Sequence, residues 1–235
     1  MTRKNVVIGL AIITFIGSVV IGGQKNAKDR PWTMAFNAAP GDLTTTGRNT
    51  YFILEPGYEL VLADGDEQLV VTVLDETKRI GDFDTRVVEE RESRNGNLIE
   101  VSRNFFAISK QSKDVYYFGE EVDIYKGGKI VRHEGAWLAG QNGARFGLMM
   151  PGMPTLNARY YQEIAPNVAM DRAEIVSLTD QRRTPAGNFT HVLKVAETNP
   201  LEPHALEYKY YAPDIGLLQD EQLKLVKYGR KQSLF

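Results

Sequence analysis

The chain has 235 residues, with 28 basic and 30 acidic side chains, so its net charge is close to zero. No basic run is present, which argues against nucleic acid as a partner because phosphate binding depends on clustered Lys and Arg. The lack of cysteine excludes disulfides, thiolate metal sites and a lipid-modified cysteine anchor. A hydrophobic content of 43% with 10% aromatic residues is typical of an ordered globular protein.

The first 23 residues predict export. Arg3 and Lys4 precede an uncharged apolar run over residues 6–21, which is the pattern of a signal peptide. Two alternatives remain open. Val20-Ile21-Gly22 is a passable cleavage site, whereas an uncleaved anchor over residues 6–23 lies at the lower limit of the roughly 17–25 apolar residues that cross a bilayer. Both alternatives place the rest of the chain in the periplasm or at the cell surface, with membrane contact through residues 6–23 if the leader is retained.

Residues 24–49 are polar and predict a linker. Residues 50–235 predict one antiparallel β domain, because short β-branched and aromatic runs alternate with turn residues at about ten-residue spacing. Asp64-Gly65-Asp66 and Asn95-Gly96 are the strongest hairpin signals. The predicted fold class is all-β, a curved antiparallel meander that forms a half-barrel or an open barrel after an apolar leader helix.

The predicted strand over residues 115–125 shows the alternation most clearly. The pattern predicts a dry face with Tyr116, Phe118, Val122 and Ile124, and a wet face with Tyr117, Glu121 and Asp123. Neighbours in a strand point to opposite faces, so the adjacent acids at 89–92 and 120–121 cannot act as catalytic pairs. We expect them on solvated strand edges, where charge discourages aggregation.

The sequence carries no catalytic signature. It has no Cys nucleophile, no G-x-S-x-G turn and no glycine-rich phosphate loop. We therefore expect a non-enzymatic protein without a cofactor.

Residues 135–157 interrupt the alternation with five glycines, two prolines and three methionines. A connection of this length inside a compact domain is usually functional or mobile. We expect it to cover the mouth of an apolar cavity that binds a lipid or another hydrophobic ligand. The candidate ligand-binding residues are Trp137, Phe146, Met149, Met150 and Met153. Three thioethers also suit Cu(I), which leaves copper binding as a lesser alternative, although no metal site is predicted.

Several turn motifs resemble a set of uncharacterised exported bacterial all-β proteins. They include Tyr117-Phe118-Gly119-Glu120-Glu121, Met150-Pro151-Gly152-x-Pro154, Thr184-Pro185-Ala186-Gly187-x-Phe189 and Tyr210-Tyr211-Ala212-Pro213. That set is similar to the lipoprotein-carrier half-barrels of the LolA/LolB type, and the resemblance covers residues 114–218. It implies a curved sheet around a hydrophobic cavity closed by a lid, although the sequence shows no helical lid.

A second functional hypothesis is a protein-interaction module of the cell envelope with a solid core. Tyr117 and Tyr125 would then contact a protein partner, because exposed aromatic side chains are favoured at interfaces.

Overall fold

The computed structural model describes residues 30–230, so the predicted leader helix lies outside the described residues. Their strands are β1 (Leu43–Thr44), β2 (Gly47–Asn49), β3 (Phe52–Leu54), β4 (Tyr58–Asp64), β5 (Glu67–Ile80), β6 (Phe83–Arg94), β7 (Asn97–Ser109), β8 (Val115–Lys126), β9 (Lys129–Arg132), β10 (Trp137–Leu138), β11 (Arg145–Met150), β12 (Arg159–Tyr161), β13 (Glu163–Ile164), β14 (Arg172–Thr184), β15 (Gly187–Asn199), β16 (Glu202–Ala212), β17 (Gly216–Asp220) and β18 (Leu223–Arg230). A 3-10 turn spans Pro40–Asp42. No helix within residues 30–230 combines the length and the apolar character that crossing a bilayer requires.

Among the described residues, sixteen strands form one antiparallel sheet that nearly closes into a barrel. The hydrogen-bonded path runs β12-β14-β15-β16-β17-β18-β4-β5-β6-β7-β8-β11-β13. Its two terminal strands, β12 and β13, are separated in the chain by Gln162 alone, so the two ends of the sheet meet. This confirms the predicted all-β fold and the curved antiparallel sheet.

The two hairpins predicted from turn residues are present. β4 and β5 pair up to Asp64 and Glu67, on either side of the Gly65 turn. β6 and β7 join through Asn95 and Gly96, whose φ angles are 52° and 73°. Positive φ at both central residues is the conformation of a type I′ turn, which Asn-Gly favours.

The sheet buries apolar side chains on both faces around β8. Inside the barrel, a large core includes Leu54, Leu62 and Leu193. A second cluster, with Phe105 and Phe118 at its centre, lies on the outer face and is covered by the chain around Leu43. Because both faces of β8 are covered there, its residues from Val115 to Gly119 are all buried.

The predicted faces of β8 are wrong beyond Gly119. Phe106 pairs with Tyr117 and Asn104 pairs with Glu120, so three steps along β8 oppose two along β7. This is a β-bulge, which shifts the alternation by one residue, so that Glu120 and Val122 lie on the face of Tyr117 and Glu121 lies on the other face. Tyr116 and Phe118 belong to the outer cluster, whereas Tyr117 belongs to the inner core.

The hairpin of β2 and β3 packs against the apolar core of the barrel. Leu54 is fully buried, and the Phe52 ring lies edge-on to Phe106 with centroids 5.0 Å apart. The Asn49 side chain donates hydrogen bonds to the carbonyls of Lys113 and Pro151 at 2.8 Å and 3.0 Å. Part of the predicted linker therefore contributes to the packed domain. Residues 135–157, by contrast, supply β10 and β11, which pair with β8.

Candidate functional site

Strand pairing places acidic side chains on the inner face of the barrel. Val88 belongs to the inner core, and Glu90 and Glu92 follow it at two-residue steps, which keep side chains on one face of a strand. On the opposite part of the sheet, Glu197 pairs with Glu207. Nine carboxyl groups act on one another electrostatically here, and we call them the carboxyl cluster: Glu90, Glu92, Glu100, Glu120, Glu163, Asp171, Glu197, Glu207 and Asp220.

Lys209 lies among these carboxyl groups. Its Nζ is 3.1 Å from Glu197 Oε2 and 3.5 Å from Asp220 Oδ2. The amide of Gln162 donates a further hydrogen bond to Glu197 Oε1 at 3.0 Å. Glu197 and Asp220 therefore have a close cationic partner, but one ammonium group cannot neutralise the whole carboxyl cluster.

Burial in the barrel makes the carboxyl cluster hard to ionise. It raises the pKa of Glu90, Glu92 and Glu207 to about 7, and the positive charge of Lys209 opposes this rise. Burial and, to a smaller extent, the charge of the Glu90 carboxyl raise the pKa of Glu120 to about 8. The side chains are nonetheless half-buried, not fully buried. The inner surface is thus enclosed by protein and still partly accessible to water.

Tyrosine side chains complete the polar part of the interior. Within residues 30–230 the Tyr160 hydroxyl has no hydrogen-bond partner, although the residue is only 3% exposed. Burial raises the pKa of Tyr160 well above its usual range, and the charge of Glu197 adds to this. Tyr117, predicted on a wet face, is 5% exposed, and its hydroxyl donates to Asn104 Oδ1.

An apolar cavity of about 80 Å³ borders the carboxyl cluster. Its apolar wall is formed mainly by β4, β5 and β6 and includes Leu60, Leu69, Val71, Val73 and Val88. Its polar border is formed by Glu90, Lys209 and Asp220. One pocket therefore offers a hydrophobic surface and ionisable groups side by side.

The five predicted ligand-binding residues lie in different surroundings. Met149 lines the 80 Å³ cavity, whereas Met150 is buried in the core and Met153 is 85% exposed. Phe146 stacks on Phe118 in the outer cluster, with centroids 5.0 Å apart. Trp137 borders a second pocket of about 200 Å³, which Glu120 also lines. Among residues 30–230, no group of three or more His, Asp or Glu side chains is arranged to hold a metal ion.

The acidic residues of the interior were not among the predicted site residues. Glu90, Glu92 and Glu120 were expected on solvated edges, but β6 and β8 are internal strands of the sheet. The sequence places Glu90 and Glu92 at two-residue steps from Val88, but the adjacent Val87 is equally apolar, so the period alone does not identify the inner face.

Comparisons with protein-family models, with curated proteins and with solved structures find no match for this chain. The class of the protein follows from its fold, an all-β domain with a nearly closed, barrel-like antiparallel sheet. The chemistry of the barrel interior is the basis for assigning a function.

Proposed function

We propose that this chain is a non-enzymatic binding protein that takes a hydrophobic group of its ligand into the barrel. The observation that carries this proposal is the apolar cavity of about 80 Å³ next to the carboxyl cluster. Pockets for complete small molecules usually measure roughly 300–1,000 Å³. The cavity therefore suits a short apolar group, and a complete acyl chain requires the interior to widen.

The resemblance of residues 114–218 to lipoprotein-carrier half-barrels supports the same function, because it implies a sheet that surrounds a hydrophobic cavity. The barrel-like sheet is compatible with that resemblance. The proposal includes a ligand of the carrier type, which is a lipid or another acyl compound.

Binding of normal alcohols to the purified protein tests the hydrophobic cavity. Each buried methylene contributes about 0.8 kcal/mol, so calorimetry with butanol, hexanol and octanol should give affinities that rise about fourfold per carbon until the cavity is filled. Val71→Phe should weaken octanol binding at least about tenfold by filling the cavity, because Val71 lines it.

Val70→Phe is the matched control. Val70 is the neighbour of Val71 in β5, is similarly half-buried and points to the other face of the strand. Its substitution should leave octanol binding unchanged. If no alcohol binds saturably, or if both variants weaken binding equally, the cavity does not hold the hydrophobic group.

We also propose that the leader over residues 1–23 delivers the barrel outside the cytoplasm. The apolar run behind Arg3 and Lys4 supports this. The mass of the protein recovered from the cell envelope should correspond either to loss of the leader or to the complete chain. Recovery from the cytoplasm alone would contradict export.

A further inference from the structure

We propose that the carboxyl cluster binds a protonated amine, so that the ligand is a cationic amphiphile. Its ammonium group would lie among the carboxylates while its hydrophobic part enters the neighbouring cavity. Entry of the hydrophobic part into the cavity rests on the proposed function, whereas the cation site is supported by separate observations.

The first observation is the excess of acid in a confined space. Lys209 is close to Glu197 and Asp220, at 3.1 Å and 3.5 Å, and the cluster has nine carboxyl groups in all. Carboxylates crowded together inside a protein repel one another and lose hydration, which makes the ionised state unfavourable. A bound cation relieves this repulsion, and an anion would increase it. The interior is therefore electrostatically complementary to a positively charged ligand.

The second observation is the buried hydroxyl of Tyr160. Buried polar groups in proteins almost always have hydrogen-bond partners, yet this hydroxyl has none in the part of the chain that the structure describes. Tyr160 pairs with Ala173, which in turn pairs with Glu197, so all three share one row across β12, β14 and β15. Between the two larger side chains, this row carries only the methyl group of Ala173. An ammonium group placed there can donate one N–H to the Tyr160 oxygen and another to Glu197.

The third observation is the position of the apolar cavity. Glu90, Lys209 and Asp220 form its polar border, and each of them belongs to the carboxyl cluster or contacts it. A primary amine with a short alkyl chain matches this combination, because its charge and its apolar part are adjacent.

The test compares octylamine, octanol and octanoate, three probes with the same chain length and different charge. Calorimetry at neutral pH with the purified protein should show octylamine binding at least about tenfold more tightly than octanol, and octanoate more weakly than both. Tyr160→Phe should weaken octylamine binding severalfold and leave octanol binding unchanged, and Glu90→Gln should weaken the binding of octylamine more than that of octanol.

Glu89→Gln is the control for charge alone. Glu89 is adjacent to Glu90 in β6 but pairs with Arg91 and Arg103 at 3.5 Å and 3.2 Å, on the other face of the strand. Its removal should not change the preference for the amine. Thermal melts of each variant establish that the barrel is folded, which separates lost binding from lost structure.

The possible outcomes separate the two proposals. Equal binding of octylamine and octanol overturns the cation site and leaves the hydrophobic cavity intact. Spermidine is a cation without an alkyl tail. If it binds in a way that depends on Tyr160 and octanol does not bind, the cation site is supported and the proposed function is overturned. The amine site is also overturned if Ca²⁺ binds tightly, Tyr160→Phe does not affect that binding, and octylamine binds no better than octanol.

Discussion

Gly119 has a backbone conformation that other residues rarely adopt. Its φ angle is 129°, and a Cβ atom at this position would lie 2.2 Å from the carbonyl oxygen of Trp137. The close approach of β10 and the bulge in β8 both depend on the missing side chain. Gly119 is also the position after which Glu120 turns toward the barrel interior. One glycine therefore determines which acids of β8 join the carboxyl cluster.

Gly119→Ala should destabilise the protein strongly. The unfavourable φ angle and the contact with backbone atoms should together lower the free energy of unfolding by roughly 3 kcal/mol, measured by chemical denaturation. Gly41→Ala is the control, because a Cβ there meets no atom of residues 30–230 within 4 Å. That variant should differ from the wild type by less than about 0.5 kcal/mol. Equal stability of the two variants would show that β8 has no need of glycine at the bulge.

For the strands, the sequence predicted those features that depend only on residues adjacent in the chain. Asn95-Gly96 identified the β6–β7 hairpin because a type I′ turn needs only those two residues. The faces of β8 could not be predicted in the same way. The bulge forms where the Trp137 backbone approaches Gly119, eighteen positions away in the chain, and no local period records that contact.

The carboxyl cluster was missed for a related reason. Alternation along β6 shows that Glu89 and Glu90 point to opposite faces, but it does not show which face becomes the inside. That choice follows from closure of the sheet, when β12 and β13 meet and strands from both halves of the chain face one another. The methionines give a second example. Composition suggested both Met149 and Met153 as ligand-binding residues, but only the folded sheet shows that Met149 lines the cavity and that Met153 is exposed.

The molecule as a whole combines a dry apolar core with an acidic interior that water reaches. Side chains such as Leu54, Leu62 and Leu193 are fully buried and provide hydrophobic stabilisation. The carboxyl cluster works against stability, because its members must share one enclosed space. Groups that are retained at a cost to stability are commonly functional, which agrees with a site prepared for a ligand of opposite charge.

The raised pKa values predict that the free protein is most stable at mildly acidic pH. Burial raises the pKa of Glu90, Glu92 and Glu207 from 4.5 to about 7, and that of Asp171 from 3.8 to about 6. At a pH between the unfolded and the folded pKa of each group, that group is protonated in the folded chain and ionised in the unfolded chain. The free energy of unfolding must then fall as the pH rises. Glu55 has the opposite sign, because hydrogen bonding to Arg48 lowers its pKa, but this affects stability only below about pH 5.

Chemical denaturation at pH 5, 6, 7 and 8 and constant ionic strength should therefore show a loss of stability of at least about 2 kcal/mol from pH 5 to pH 8. Glu90→Gln should flatten this profile, with little effect at pH 5 and increased stability at pH 8, because glutamine needs no proton to stay neutral. Glu89→Gln, on the outer face, should follow the wild-type slope. Stability that is constant or rises toward pH 8, or a Glu90→Gln profile parallel to that of the wild type, would mean that the interior carboxyl groups ionise freely. The carboxylates would then carry no destabilising repulsion for a cation to relieve.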